Sequence, residues 1–275
     1  MGHATAASLR AFAESLLAAL GAHPVVARDV AWATTEASLD GVDTHGLTLL
    51  PRIVKRVDAG RAQMSEPARA RDIEAAVDVV DAALTPGQHA TMVAVRAAVE
   101  RAKRHGVGYV SVLQSTHFGA CAPFLRALES EGLAGMVGSN SLRSMAAFGL
   151  ERANLGNNPF GFVIPAEPGP AFLFDASAAG MSFGRRRQLL DAGEALPAEA
   201  WVVPQGEVED LGVCEIADSL DHLAVPFGGY KGASVAVFVE LLAGLLAGGH
   251  VGAETETLSQ GDFRGPGQFV LAFDP

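Results

Sequence analysis

The sequence predicts an α/β protein, and three observations carry that prediction. Apolar residues recur at helical spacing through the N-terminal segment; from Pro86 onward helical stretches alternate with short β-rich runs; and the polar clusters Ser115-Thr116-His117 and Ser139-Asn140-Ser141 each follow such a run.

In chain order, Leu9, Phe12, Leu16 and Leu20 lie at helical spacing and Gly21 follows, which predicts an amphipathic helix with a glycine stop. A second helix over roughly 26–40 ends at Gly41. The glycines and proline of GVDTHGLTLLPR predict irregular backbone that holds His45 on a structured loop. A helix over roughly 88–104 places Met92, Val95, Val99 and Ala102 on one stripe and stops at His105-Gly106, ahead of VGYVSVL. STHFGA, a helix over roughly 122–131 and the run LAGMVG complete a strand–helix–strand unit with parallel strands, whose carboxyl ends are where ligands bind. Short strands at 160–165 and 171–175, a basic helix start at Arg185-Arg186-Arg187 and an aliphatic helix over about 231–247 follow.

With 275 residues, 49% of them hydrophobic, the chain can bury a sizeable core as one large domain or two small ones. Its net charge of −11 opposes both nucleic acid and anionic membrane surfaces as partners. Cys121 and Cys214 are too few for a disulfide scaffold and imply a reducing, cytoplasmic setting. The N-terminus lacks the basic region of a signal peptide. The most apolar stretch, 235–246, contains Glu240, falls short of the ~20 residues of a membrane span and reads as a buried helix.

No GxGxxG follows a predicted strand, so the common dinucleotide fingerprint is absent. The arginines of SFGRRR suit a cofactor phosphate, or simply open a solvated helix. His117, where a strand meets the small-residue turn Gly119-Ala120, suits proton transfer to a substrate oxygen or nitrogen, or a structural hydrogen bond. His45, between Thr44 and Gly46, carries the same two readings. Asn157-Asn158-Pro159 supplies a turn. PFGGYKG is a glycine-rich helix entry whose N–H groups, with Lys231, suit an anion. The remaining histidines, His89 and His222 among them, show no paired ligand spacing, so no metal is indicated.

Taken together, LDGVDTHGLTLLPRIVKRVDAG, HGVGYVSVLQSTHFGA, GSNSLRSMAAFGLERANLGNNPFGFVIPA and PFGGYKGASVAVFVELLAGLLAGG followed by QFVLAFDP resemble the type 2 malate/L-lactate dehydrogenase family, which includes sulfolactate and ureidoglycolate dehydrogenases and cyclic ketimine reductases. The resemblance implies a non-Rossmann, L-sulfolactate dehydrogenase-like fold, with a helical substrate and dimerisation domain (1–72 plus 229–275) packed on a mixed-sheet cofactor domain (73–228). It implies a homodimer and a small-molecule substrate. The chemistry it implies is hydride exchange between NAD or NADP and a 2-oxo acid, 2-hydroxy acid or cyclic imine carboxylate.

By the same resemblance, His117 is the proton donor and acceptor, and His45 orients the substrate or shares the transfer. Thr44 and Asn140 are polar neighbours of the substrate, and Ser139, Asp175, Ser177, Ala179 and Lys231 line the cofactor. The chain departs from the family where an arginine usually follows the first histidine by four residues: that position is Leu49, which leaves Arg52 or Arg143 as the carboxylate partner and predicts that Leu49→Arg improves use of 2-oxo acids. DMATS reads Asp175-Ala176-Ser177-Ala178-Ala179, GHKG reads Gly229-Tyr230-Lys231-Gly232, and Pro275 ends the sequence where family members continue through a PGE-containing segment. A second reading follows from these changes: a repurposed enzyme that has lost NAD(P) and uses the histidines for isomerisation, cyclisation or elimination. A non-catalytic binding protein gives no reason to keep both histidines.

Overall fold

The computed structural model describes residues 4–71, 75–150, 153–195, 197, 201–202, 223–255 and 265–275. Cys214, His222 and the side chain of Arg187 lie outside the described residues.

Helices α1 (Ala6–Ala19), α2 (Pro24–Leu39) and α3 (Leu50–Asp58) build the N-terminal layer. Thr5 caps α1 by accepting the Ser8 N–H, and Pro24 opens α2 where a missing N–H donor is harmless. The buried stripe of α1 differs from the expected one. Ala13 and Leu17 are buried with Leu16 packed against them, whereas Phe12 and Leu20 are exposed. Their partners Val26, Val30, Leu50 and Ile53 sit on the Leu17 side, so packing against α2 and α3 selected that face.

Strands β1 (Arg69–Ala70) and β2 (Val77–Asp81) precede α4 (Gly87–His105), β3 (Val107–Leu113), α5 (Ala122–Glu129) and β4 (Ala134–Ser139). Then come β5 (Arg143–Met145), β6 (Leu155–Gly156), β7 (Phe160–Ile164), β8 (Phe172–Ala176), α6 (Phe183–Asp191), β9 (Trp201–Val202), β10 (Leu223–Ala224), α7 (Tyr230–Ala243) and β11 (Gln268–Phe273). A seven-stranded sheet runs β1-β2-β3-β11-β4-β7-β8, and a four-stranded one runs β6-β5-β10-β9.

β2 and β3 are parallel, as a strand–helix–strand crossover requires. β3 and β4 run parallel, as expected, but not side by side: β11 lies between them, antiparallel to both, and the sheet is mixed. Side-chain alternation explains the insertion. Val270 and Ala272 join the core beneath α4 and α5, while Phe269 and Leu271 join the core beneath α7. A strand apolar on both faces is buried fully only in the middle of a sheet. Residues 268–273, grouped above with the helical domain, are therefore part of the sheet.

α7 is corrected too. It buries Ala233, Ala236, Val239 and Ala243, but Phe238 and Leu241 face outward, as do Leu245 and Leu246 in the 3-10 turn Leu245–Ala247 that follows. By length and composition alone Tyr230–Ala247 could cross a membrane, yet its inner face packs on Tyr109 and Phe269. Glu240 on that inner face accepts from Asn158 Nδ2 (2.6 Å), Asn140 Nδ2 (3.3 Å) and the Gly252 N–H (2.7 Å). Burial raises its pKa, and those donors offset part of the rise.

Candidate active site

His117 stands beyond the carboxyl end of β3, where the first turn of α4 also ends up, because α4 runs back along the strand that follows it. A Cβ at Gly87 would lie 2.8 Å from the His117 carbonyl carbon and oxygen, so only glycine admits this close approach of helix to loop. The Gly87 N–H donates to Thr116 Oγ1 (3.0 Å), and Gln268 Nε2 donates to the Thr116 carbonyl (3.1 Å). The loop that carries His117 is thus fastened to α4 and to the central strand.

His45 ends a 3-10 turn, Asp43–His45, at the end of the segment joining α2 to α3. Ser38 Oγ accepts the Leu47 N–H at 3.0 Å, and the Thr48 hydroxyl bonds the Asp43 carbonyl, which fixes the turn from both sides. The two imidazoles meet face to face, with ring centroids 5.5 Å apart and planes 27° from parallel. Thr44 Oγ1 lies 2.9 Å from His45 Nδ1. The Gly119 N–H donates to His117 Nδ1 at 3.2 Å, so that nitrogen is an acceptor and the neutral ring carries its hydrogen on Nε2.

The pKa of each histidine lies below the ordinary imidazole value. Burial lowers the His117 pKa well below the ordinary value, and the charges of His45, Arg52 and Arg56 lower it further. Burial and Arg52 lower that of His45. Arg52 and Arg56 are four residues apart on α3, hence on one helix face, and that face puts positive charge beside the pair. Leu49 packs in the apolar cluster of α1 to α3 with Leu17 and Leu50. An arginine at 49 would have to leave that cluster, so the gain expected from Leu49→Arg is not supported by the packing.

Other residues picked from the sequence lie elsewhere. Ser139 Oγ donates to the carbonyls of Asn140 (2.7 Å) and Gly267 (2.9 Å). Asn140 Oδ1 accepts the Gly267 N–H (2.7 Å) and its Nδ2 donates to the His250 carbonyl (2.9 Å) as well as to Glu240. Both are buried links between β4 and the segments flanking it in space. Asp175 Oδ2 accepts the Ala122 N–H at 2.8 Å and so caps α5; burial raises its pKa, and the Ala122 N–H offsets part of that. Cys121 beside it is buried, with its thiol pKa pushed well up by burial and by Asp175. Arg143 lies on β5 in the smaller sheet, and its charge is not among those acting on either histidine.

Ser177, Ala179 and Lys231 do come together. Ala179 bridges Pro226 and the Phe227 N–H donates to the Ala178 carbonyl (3.0 Å), which sets the 177–179 stretch against the entry to α7 with Lys231 exposed in its first turn. Among the described residues no group of three His, Cys, Asp or Glu side chains is arranged to hold a metal.

Two side chains here escaped the sequence reading. Arg56 had only its spacing from Arg52 to announce it. Gln88, next to Gly87, is 1% exposed and has no hydrogen-bond partner at either amide atom. An unmet buried amide costs about 1–3 kcal/mol.

The paired histidines, His117 beyond the end of β3 and His45 from the α2–α3 segment, lie beside arginine charge against a mixed sheet and form the candidate site of an α/β protein. Residues 4–275 match the malate/L-lactate dehydrogenase family, and the chain belongs to it, which makes it an oxidoreductase of the dehydrogenase and reductase kind. It is 31% identical over 265 residues to the (2R)-3-sulfolactate dehydrogenase (NADP(+)) of Chromohalobacter salexigens, covering 96% of this chain and 78% of that one. It is 28% identical over 270 residues to a Δ1-pyrroline-2-carboxylate/Δ1-piperideine-2-carboxylate reductase of Pseudomonas putida, covering 95% of this chain and 78% of that one. The solved Δ1-piperideine-2-carboxylate reductase from Pseudomonas syringae superposes with a TM-score of 0.88 at 25% identity, over 100% of this chain and 82% of that one. Malate dehydrogenase from Entamoeba histolytica shares the fold, with a TM-score of 0.88 at 24% identity over 99% of this chain and 78% of that one.

Proposed function

We propose that the protein reduces a cyclic imine carboxylate or a 2-oxo acid, or oxidises the matching 2-hydroxy acid, with NADP or NAD as hydride carrier and His117 and His45 handling the proton. The observation that carries this reading is the uncharged, stacked His45–His117 pair beside the positive charge of Arg52.

The substrate carboxylate is drawn to the Arg52 and Arg56 face of α3, in place of the arginine that position 49 lacks. Its reacting oxygen or nitrogen takes a hydrogen bond from His117 Nε2–H, the tautomer that the Gly119 N–H supports. Reduction takes up one proton: a histidine of the pair binds it from solvent as imidazolium, passes it to that atom as negative charge builds there, and returns to the uncharged form, with the Thr44 hydroxyl 2.9 Å from His45 Nδ1 orienting that ring. The nicotinamide, when bound, supplies or accepts the hydride. Residues 177–179 and the start of α7, with Lys231 and the positive end of the helix, fit its anionic part; Ser177 is the hydroxyl available there. A homodimer in the cytoplasm completes the reading, on the strength of the family resemblance.

The test is turnover of NADPH and NADH against Δ1-piperideine-2-carboxylate, Δ1-pyrroline-2-carboxylate, pyruvate and oxaloacetate, followed by loss of the reduced nicotinamide absorbance. Turnover of at least one substrate that falls by about 10²–10⁴ in His117→Ala supports the reading. Absence of turnover with every pair, alongside retained fold, points instead to histidine chemistry without a dinucleotide.

A further inference from the structure

We propose that the buried carboxamide of Gln88 forms a donor–acceptor subsite beside His45 and His117, which takes a substrate carboxylate oxygen on Nε2 and the neighbouring N–H or O–H of the same substrate on Oε1. This rests on the reductase reading for the kind of substrate, but its geometry does not.

Gln88 opens the 19-residue helix α4, whose first turn lies against the Thr116–His117 backbone. Gly119 shows where its amide sits. A Cβ placed at Gly119 would be in van der Waals contact with the His45 carbonyl oxygen at 3.5 Å and with Gln88 Nε2 at 3.7 Å. Gly119 has φ +93, a backbone that side chains with a Cβ resist, so glycine lets the loop pass this close to both groups. The amide therefore lies where the backbones of the two histidines converge, at the positive end of a long helix. Among the described residues neither Oε1 nor Nε2 meets a hydrogen-bond partner, although the residue is almost wholly buried. Buried polar groups are satisfied as a rule, and an orphaned amide beside the two histidines marks where a ligand completes the bonding. A carboxamide presents one donor and one acceptor side by side. The complementary edge is a carboxylate oxygen next to an N–H or O–H, which 2-hydroxy acids and cyclic amine carboxylates both have.

The experiment is calorimetric titration of wild type and Gln88→Met with pyrrole-2-carboxylate and with furan-2-carboxylate. The two probes share size and carboxylate, but the ring heteroatom is a donor in the first and an acceptor in the second. The proposal predicts that wild type favours pyrrole-2-carboxylate about tenfold or more, that Gln88→Met removes the preference, and that NADPH affinity is the same in both proteins. It is overturned if the preference is absent in wild type, if it survives in Gln88→Met, or if only NADPH affinity changes, which would make Gln88 a cofactor contact. A thermal midpoint that rises in Gln88→Met with the preference intact marks Gln88 as structural and also overturns it. Should Gln88→Met not fold, Gln88→Glu, which keeps the shape and loses the donor, must lose binding of pyrrole-2-carboxylate. Failure of the reductase reading looks different: no NADPH binding or turnover, whatever residue 88 is.

Discussion

His45 and His117 stack with ring centroids 5.5 Å apart although they come from different layers, His45 from the turn between α2 and α3 and His117 from the end of β3. In the proposed reaction, two imidazoles so close act as one proton-handling unit. His117→Ala and His45→Ala are each expected to lower kcat, His117→Ala by about 10²–10⁴, and the double variant to cost little more than the worse single one. Steady-state kinetics on the three variants decides it; additive losses would show two independent roles.

Burial and neighbouring positive charge lower both histidine pKa values in the folded protein, below the ordinary ~6.5 of the unfolded chain. The unfolded state then binds more protons, so their contribution to stability is full above about pH 6.5 and is lost as pH falls toward the folded values. Oxidation of a 2-hydroxy acid, which needs an uncharged histidine, is expected to keep a flat kcat/KM from about pH 8 to about 6.5 and to fall only below that. Arg52→Gln is expected to move the acid limb upward. A pH–rate profile with its acid limb above 6.5 in wild type would contradict this.

The charge of Arg52 acts on both histidines, whereas Leu49 lies in the apolar cluster of α1 to α3. Arg52→Gln is expected to raise KM for a carboxylate substrate about tenfold or more while leaving KM for NADPH unchanged. Leu49→Arg, by contrast, forces a cation into an apolar cluster where Leu49 is 6% exposed, and is expected to cost about 2 kcal/mol or more in urea unfolding. A gain in 2-oxo acid turnover by Leu49→Arg at full stability would reverse this assignment.

Asn158 donates to Glu240 at 2.6 Å and to the Ala236 carbonyl at 2.9 Å, and accepts the Ser141 N–H at 2.9 Å. Asn158→Ala is expected to cost about 2–3 kcal/mol. The raised Glu240 pKa means that its contribution to stability is present at low pH and lost as pH rises through the folded value. Losing a donor raises that value further, so the deficit is expected to be larger at about pH 7 than at about pH 5. Urea midpoints at the two pH values read it out.

Much of this arrangement was legible in the residues. Gly21, Gly41 and Gly106 punctuate helices wherever the spacing places their ends, and the polar clusters after β3 and β4 do mark strand ends. What escaped depends on partners distant in the chain. β11 enters the sheet between β3 and β4, and nothing within QFVLAF names its neighbours. Asn140, Ser139 and Asp175 are the right residue types for ligand contacts, yet each meets a nearby backbone or carboxylate first. Glu240 inside an apolar helix was the visible sign of the buried network, since a carboxylate there needs donors.

The measurement closest to the central claim is calorimetric titration of the full chain with NADPH and with NADH. Binding of either near the micromolar range, about −8 kcal/mol, is the predicted result and makes the His45–His117 pair the proton half of a hydride transfer. No binding of either nucleotide by the folded protein would contradict the account and leave the pair to work without a dinucleotide.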